Sequence, residues 1–150
     1  MNRLSDFAGG TVFTKRMSRK TYWISVGVLA GVVVLISVVP VLSNASWGLS
    51  FVWFLIWAPR LHDFGRSAWL MVIPVAVQIG VGIAGIALGG DTFEKIMMGD
   101  VDAISQNDPG ALVFVLVMLA VLAVQIAFTV LVGIPSGDPG PNRFGDAPKS

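Results

Sequence analysis

Four stretches of this sequence run without a charged side chain, and their lengths constrain the fold more than any other feature. Tyr22–Val39 holds 18 residues, about 27 Å as a helix at about 1.5 Å per residue, close to the roughly 30 Å hydrocarbon core of a bilayer. The run from Ala111 to Ile134 is longer, at 24 residues. A 150-residue chain that is 55% apolar and only 13% charged departs from soluble domains, where about 25% of residues are charged. A mean hydropathy of +0.78 has no place to hide in a water-soluble core this small, because small domains carry too much surface for their volume. Lipid removes the contradiction, and in lipid the backbone must satisfy its own hydrogen bonds. The expected elements are therefore helices. No cysteine is present, which excludes disulfides, thiolate nucleophiles and cysteine metal sites.

Read in order, the chain gives a polar, basic segment over 1–21 and a first span over 22–40. Ser43-Asn44-Ala45 has the small-x-small form of a signal cleavage site, but the preceding apolar run exceeds the usual length of about 7–15. The second span, 42–59, has a charge-free core of only 12 residues, Trp47–Ala58, and needs its upstream extension to cross. Its Phe51, Trp53, Phe54 and Trp57 favour a membrane location. A compact charged loop follows over 60–67, then a third span over 68–90, where Pro74 is expected to introduce a kink. An acidic connector (91–109), a fourth span (110–134) and a Gly- and Pro-rich tail (135–150) complete the chain.

With four spans, the N-terminal segment, the 60–67 loop and the tail share one side. That side holds nine of the ten basic residues, while the connector carries five acids against Lys95. The positive-inside rule then places both termini in the cytoplasm. Asp91-x-x-Glu94 resembles a capping box, and Phe93, Ile96, Met97, Val101 and Ile104 recur at helical spacing. A short amphipathic helix on the outer surface is expected there. The expected fold is all-α: an integral membrane four-helix bundle in one membrane domain.

The polar residues form two groups. On the cytoplasmic side, Arg16, Arg19 and Lys20 would share a helix face with Trp23, and Arg60, His62, Asp63 and Arg66 crowd into RLHDFGR. This cluster reads either as a grip on anionic lipid or a partner, or as a topology signal and salt-bridge network. Asp63 should remain ionised among its arginines, and the expected pairing is with Arg143 or Arg19. The second group is Gln78 and Gln125, which fall at matching depth and are expected to hydrogen-bond between helices, a contact worth about 0.6–2 kcal/mol in membranes. No charged residue lies within the spans, which argues against an ion-translocating core. Gly27-x-x-x-Gly31, Gly85-x-x-x-Gly89 and the Ala123/Ala127 pair offer close-packing faces. His62 is the sole histidine, so a metal centre is not expected. Calcium at Asp100, Asp102 and Asp108 would lack the loop glycine and terminal glutamate of a hand-type site.

Three blocks carry a family resemblance. Phe13-Thr14-Lys15-Arg16 with Arg19-Lys20-Thr21-Tyr22-Trp23 is similar to an opening pattern F-x-G-R-x-x-R-x-x-Y/F-W. Arg60-Leu61-His62-Asp63-Phe64-Gly65-Arg66-Ser67-Ala68-Trp69 resembles R-R-L-H-D-T-G-R-S-G-W without its first arginine. Gly137-Asp138-Pro139-Gly140-Pro141-Asn142-Arg143-Phe144-Gly145 resembles G-T-P-G-P-N-R-Y-G. In this order the blocks are similar to the YhaH-like bacterial inner-membrane family (domain of unknown function 805). Lys15 stands where that family has glycine, Pro59 where it often has arginine, and about 68 positions separate Trp69 from the tail block. The resemblance implies a bacterial inner-membrane protein and brings Asn142 and Arg143 into the cytoplasmic cluster. It implies no activity.

The functional expectation is a non-enzymatic membrane module, with no catalytic residues and no cofactor, that binds membrane lipids or a partner membrane protein through its basic cytoplasmic face. An oligomeric transporter of small molecules or lipid is the alternative. A homo-oligomer is compatible with either, and nothing points to nucleic acid.

Overall fold

The structure is a computed structural model that describes residues 15–38, 46–100, 102, 104 and 107–148. The possible cleavage site at Ser43–Ala45, Phe13 and Thr14 of the first motif block, and Val101 of the connector lie outside them. Among the described residues the protein is all-helical. Four helices follow one another: α1 (Arg19–Ser37), α2 (Ser46–Asp63), α3 (Val72–Met98), preceded by a 3-10 turn Ala68–Met71, and α4 (Pro109–Gly133). Three stretches, Arg19–Ser37, Ala68–Ile96 and Pro109–Gly133, are long and apolar enough to cross a membrane. The protein is thus a membrane protein by its helices, many of whose large apolar side chains are exposed, such as Val34, Ile83 and Leu131. The second expected span, 42–59, overlaps helix α2, which is not among those three and whose last turn is occupied by Arg60, His62 and Asp63; its first residues, 42–45, lie outside the described residues.

Two helix boundaries differ from expectation for local reasons. α1 starts a turn early because Ser18, in extended conformation, caps it, its Oγ accepting the Thr21 N–H at 3.2 Å. A serine at this position satisfies one of the orphan amides of a first turn. Arg16 therefore precedes the helix, and does not share a helical face with Arg19, Lys20 and Trp23. α2 in turn runs through the first half of the expected charged loop. It ends at Asp63 and is closed off by Gly65, whose φ of +70° suits a residue without Cβ. The Gly65 N–H donates to His62 O at 3.2 Å and the Arg66 N–H to Leu61 O at 2.9 Å, the paired bonds of a Schellman ending.

The chain divides into two compact units: residues up to Met71 together with those from Thr129 onward, and Val72–Phe128. In the second unit, Pro74 is the third residue of α3, where its missing N–H is one that no helix would use. The break comes instead at Gly90 (φ 53°, ψ −141°). Beyond it, Asp91–Met98 continues as helix, so the expected connector is shorter than 91–109. Phe93 turns back onto the Gly85/Gly89 face: a Cβ on Gly85 would lie 2.9 Å from the Phe93 ring and 2.7 Å from Val117. These glycines seat side chains of their own unit, whereas Gly27 and Gly31 face open space. Asp108 caps α4, accepting the Gly110 N–H and the Thr92 hydroxyl, each at 2.8 Å, and these bonds lower its pKa. Gln78 Nε2 donates to Gln125 Oε1 at 3.3 Å.

Candidate functional site

In the first unit the three motif blocks meet at one end. α1 and α2 lie side by side with opposite direction: the Met17 N–H donates to Pro59 O at 2.9 Å, joining the start of one helix to the end of the other. The end of α4 arrives at the same place. Tyr22 donates its hydroxyl to Thr129 O at 2.7 Å, and a Cβ on Gly133 would lie 2.8 Å from the Tyr22 ring. Glycine is what allows this approach of α4 to the aromatic pair Tyr22–Trp23.

Asp63 is the centre of the cluster. Its Oδ1 pairs with Arg16 at 3.2 Å, its Oδ2 with Arg60, one turn back on the same helix face. The side chains of Arg16, Arg60 and Asp63 are at most 3% exposed. The expected partners Arg143 and Arg19 are not the ones used. Arg143 instead donates to Gly65 O at 3.1 Å and stacks over the Phe144 ring at 4.7 Å, while the Arg19 side chain is exposed. The reason is geometric: Arg16 precedes the helix, so its side chain is free to turn inward, whereas Arg19 and Lys20 are fixed on an outward face.

Two arginines and one carboxylate leave a buried excess of positive charge, and backbone carbonyls offset it. Arg16 donates to Gly140 O (2.7 Å), Gly145 O (3.1 Å), Asp138 O (2.6 Å) and Asp63 O (3.2 Å). Arg60 donates to Met17 O at 3.3 Å and to Pro135 O. Burial lowers the Arg60 pKa and Asp63 opposes that shift. A buried charge is tolerable only with such partners. The tail is thereby held by its main chain: it presents carbonyls to Arg16, and its Asp138 N–H donates to Asp63 O at 2.8 Å.

His62 points elsewhere. Its ring stacks on Phe144 at 3.9 Å between centroids and 13° between planes, and it is 4% exposed. Burial lowers its pKa, a bond to the Lys15 backbone raises it, and the charge of Arg143 lowers it again. Asn142 Nδ2 bridges His62 O (3.0 Å) and Asp138 Oδ2 (2.9 Å). The sequence reading missed Phe144 and Gly137, both within a motif block but carrying no charge to draw attention. Gly137 is close against the Asp63 carboxylate.

The predicted cluster thus separates into two sets. Arg16, Arg60, His62, Asp63 and Asn142 are committed to the fold. Arg19, Lys20, Arg66 and Arg143, with Lys15, are exposed around it, beside the exposed rings of Trp23 (41%) and Trp69 (80%). Comparison with known proteins gave no match to a family model, to a curated protein or to a solved structure.

Proposed function

We propose that this chain is a four-crossing protein of the bacterial inner membrane, with both termini cytoplasmic, whose basic face binds anionic lipid headgroups. Membership of the YhaH-like family is part of the proposal and rests on the three motif blocks. Three helices are long and apolar enough to cross, and what supports a fourth crossing is the hairpin of α1 and α2. The chain leaves the polar end through α1 and is back at it by Pro59, whose carbonyl accepts the Met17 N–H. The placement of nine basic residues against an acidic connector orients that end toward the cytoplasm.

The observation that carries lipid binding is the exposed set Lys15, Arg19, Lys20, Arg66 and Arg143, left over after the cap has used Arg16 and Arg60. Exposed tryptophans at the same end are suited to the headgroup layer. Each cation near an anionic leaflet contributes about 1 kcal/mol of attraction. Transport would require Gln78 and Gln125 to face a passage, and they face each other instead.

The test is a comparison of thermal stabilisation in detergent by phosphatidylglycerol and by phosphatidylcholine. The anionic lipid should stabilise more, and the difference should shrink with salt. The combined Arg19→Gln, Lys20→Gln, Arg66→Gln variant should lose most of it, about 3 kcal/mol in headgroup attraction. Equal stabilisation of the unsubstituted protein by both lipids refutes the reading. Because the chain has no cysteine, Ser46→Cys and Ser67→Cys variants report the crossing of α2 directly: labelling from opposite compartments is expected.

A further inference from the structure

The hairpin of α1 and α2 leaves an open seam on one side, and the seam changes character along its length. Near the polar end a cavity of about 240 Å³ is lined by Lys15, Ser18 and Thr21 and, across from them, by Leu55 and Pro59. Farther along, a groove of about 450 Å³ is lined by Ser25, Val28 and Val32 of α1 and by Val52 and Ile56 of α2. Either volume alone is unremarkable; the larger one lies within the roughly 300–1,000 Å³ range of small-ligand sites. Their alignment is what carries an inference. Ser18, Thr21, Ser25, Val28 and Val32 recur at spacings of three and four, so they form one stripe on α1. Val52, Ile56 and Pro59 do the same on α2. A polar mouth with an ammonium and two hydroxyls therefore continues into an apolar trough about 12 Å long, from Ile24 to Val32 at about 1.5 Å per residue.

We propose that this seam is a binding site for one anionic glycerophospholipid, its phosphate at Lys15, Ser18 and Thr21 and one acyl chain along the trough. The inference rests on the lipid-binding reading above and narrows it from a charged face to a discrete site. Charge complementarity selects the occupant. The mouth carries Lys15, exposed, with Arg19 and Lys20 on the adjacent turn of α1. Arg16 also lines the mouth, but its guanidinium is held by Asp63 and four carbonyls and contributes its field alone. The trough offers a chain the aliphatic surface of six side chains, Ile24, Val28, Leu29, Val32, Val52 and Ile56. A zwitterionic lipid would match the trough and leave the mouth's excess charge without a counterpart.

Native mass spectrometry of the protein in mild detergent with added phosphatidylglycerol or phosphatidylcholine reads the site out. One phosphatidylglycerol should be retained in preference to phosphatidylcholine. Lys15→Gln should weaken its retention about fivefold, and Val28→Trp, which fills the trough, should abolish it. Val34→Trp on another face of α1, where Val34 is 65% exposed, should leave it intact. Retention by Val28→Trp equal to that of the unsubstituted protein overturns the proposal. If that retention is lost instead in the Arg19, Lys20 and Arg66 variant, the basic face stands while the seam falls; if no preference for phosphatidylglycerol is seen at all, both fall. Should Val28→Trp fail to fold, a bimane on Ser25→Cys with brominated phosphatidylglycerol answers the same question. Stronger quenching there than on Val34→Cys supports the seam, and equal quenching overturns it.

Discussion

Replacing Gly137 by alanine adds a single methyl group, and its consequence follows from the geometry of the cap. The new Cβ would stand 2.7 Å from the Asp63 carboxyl carbon and 2.9 Å from its Oδ1, inside van der Waals contact. Gly137 is not among the glycines with positive φ, so backbone strain plays no part and the effect is steric. Asp63 has no room to retreat, because Arg16 and Arg60 hold both of its oxygens and its side chain is 3% exposed. If the tail yields, the cost is that of overpacking, about 1–3 kcal/mol. If the carboxylate is driven from its arginines, the cost rises toward that of a broken buried pair, about 3–5 kcal/mol. Thermal unfolding in detergent, followed by loss of the folded peak in size exclusion, measures the loss. Gly140→Ala is the control, since nothing lies within 4 Å of its Cβ position, and it should change stability by no more than about 0.5 kcal/mol. A cycle with Asp63→Ala isolates the cause. With the carboxylate gone, Gly137→Ala should cost far less, giving a coupling of about 0.5–3 kcal/mol. Additive costs in that cycle, or equal effects of Gly137→Ala and Gly140→Ala, would refute the argument.

Asp63→Asn keeps the shape of the side chain and removes its charge, leaving two buried guanidiniums without an anion. We expect a loss of about 3–5 kcal/mol and less folded protein in the membrane, and unchanged detergent stability would contradict the cap. His62 gives a pH dependence whose sign is fixed by its burial. Its folded pKa lies below the ordinary 6.5, so the unfolded chain binds more protons as pH falls past that value, and stability declines with it. His62→Phe should remove that slope while keeping the stack on Phe144, and an unaltered slope would assign it to other groups. Gln78→Leu should cost about 0.6–2 kcal/mol in detergent unfolding, with Gln125→Leu adding little in that background if the two amides act as a pair.

Helix number and approximate position were legible in the sequence because burial in lipid imposes a long apolar run on each crossing. The ends were harder to read. Charge patterning alone treats Arg60–Arg66 as a loop, since four of its seven residues are polar and ionisable. The helix nevertheless continues to Asp63, because Gly65 supplies a left-handed ending and the polar last turn finds partners in the cap. The same holds for Gly90, where an apolar run passes through a backbone break that no hydropathy pattern records. The meeting of the three blocks was anticipated, but the identity of Asp63's partners was not. That choice depends on Ser18 starting α1, which turns Arg16 inward and Arg19 outward although the two are only three residues apart.

This local decision also determines which cations remain for a ligand. A count of charges gives the same total whichever arginine enters the cap. Its consequence is not the same, because a buried guanidinium is bound by oxygens of the protein and an exposed one is bound by whatever anion the medium offers. Arg16 consumes four carbonyls together with Asp63, and in doing so draws the tail over the ends of α1 and α2. Arg19 is left outside the cap, exposed on α1, and the tail comes to the edge of the seam, where its Pro148 lines the mouth beside Ser18 and Thr21. The buried salt bridge and the open basic face are therefore two results of one helix start. Moving that start should disturb both: Ser18→Ala removes the side-chain cap, at a cost of about 0.5–2 kcal/mol. It should also reduce the preference for anionic lipid, because the turn that places Arg19 and Lys20 outward is then free to fray. A Ser18→Ala variant that loses stability but keeps its full lipid preference would separate the two and refute their common origin.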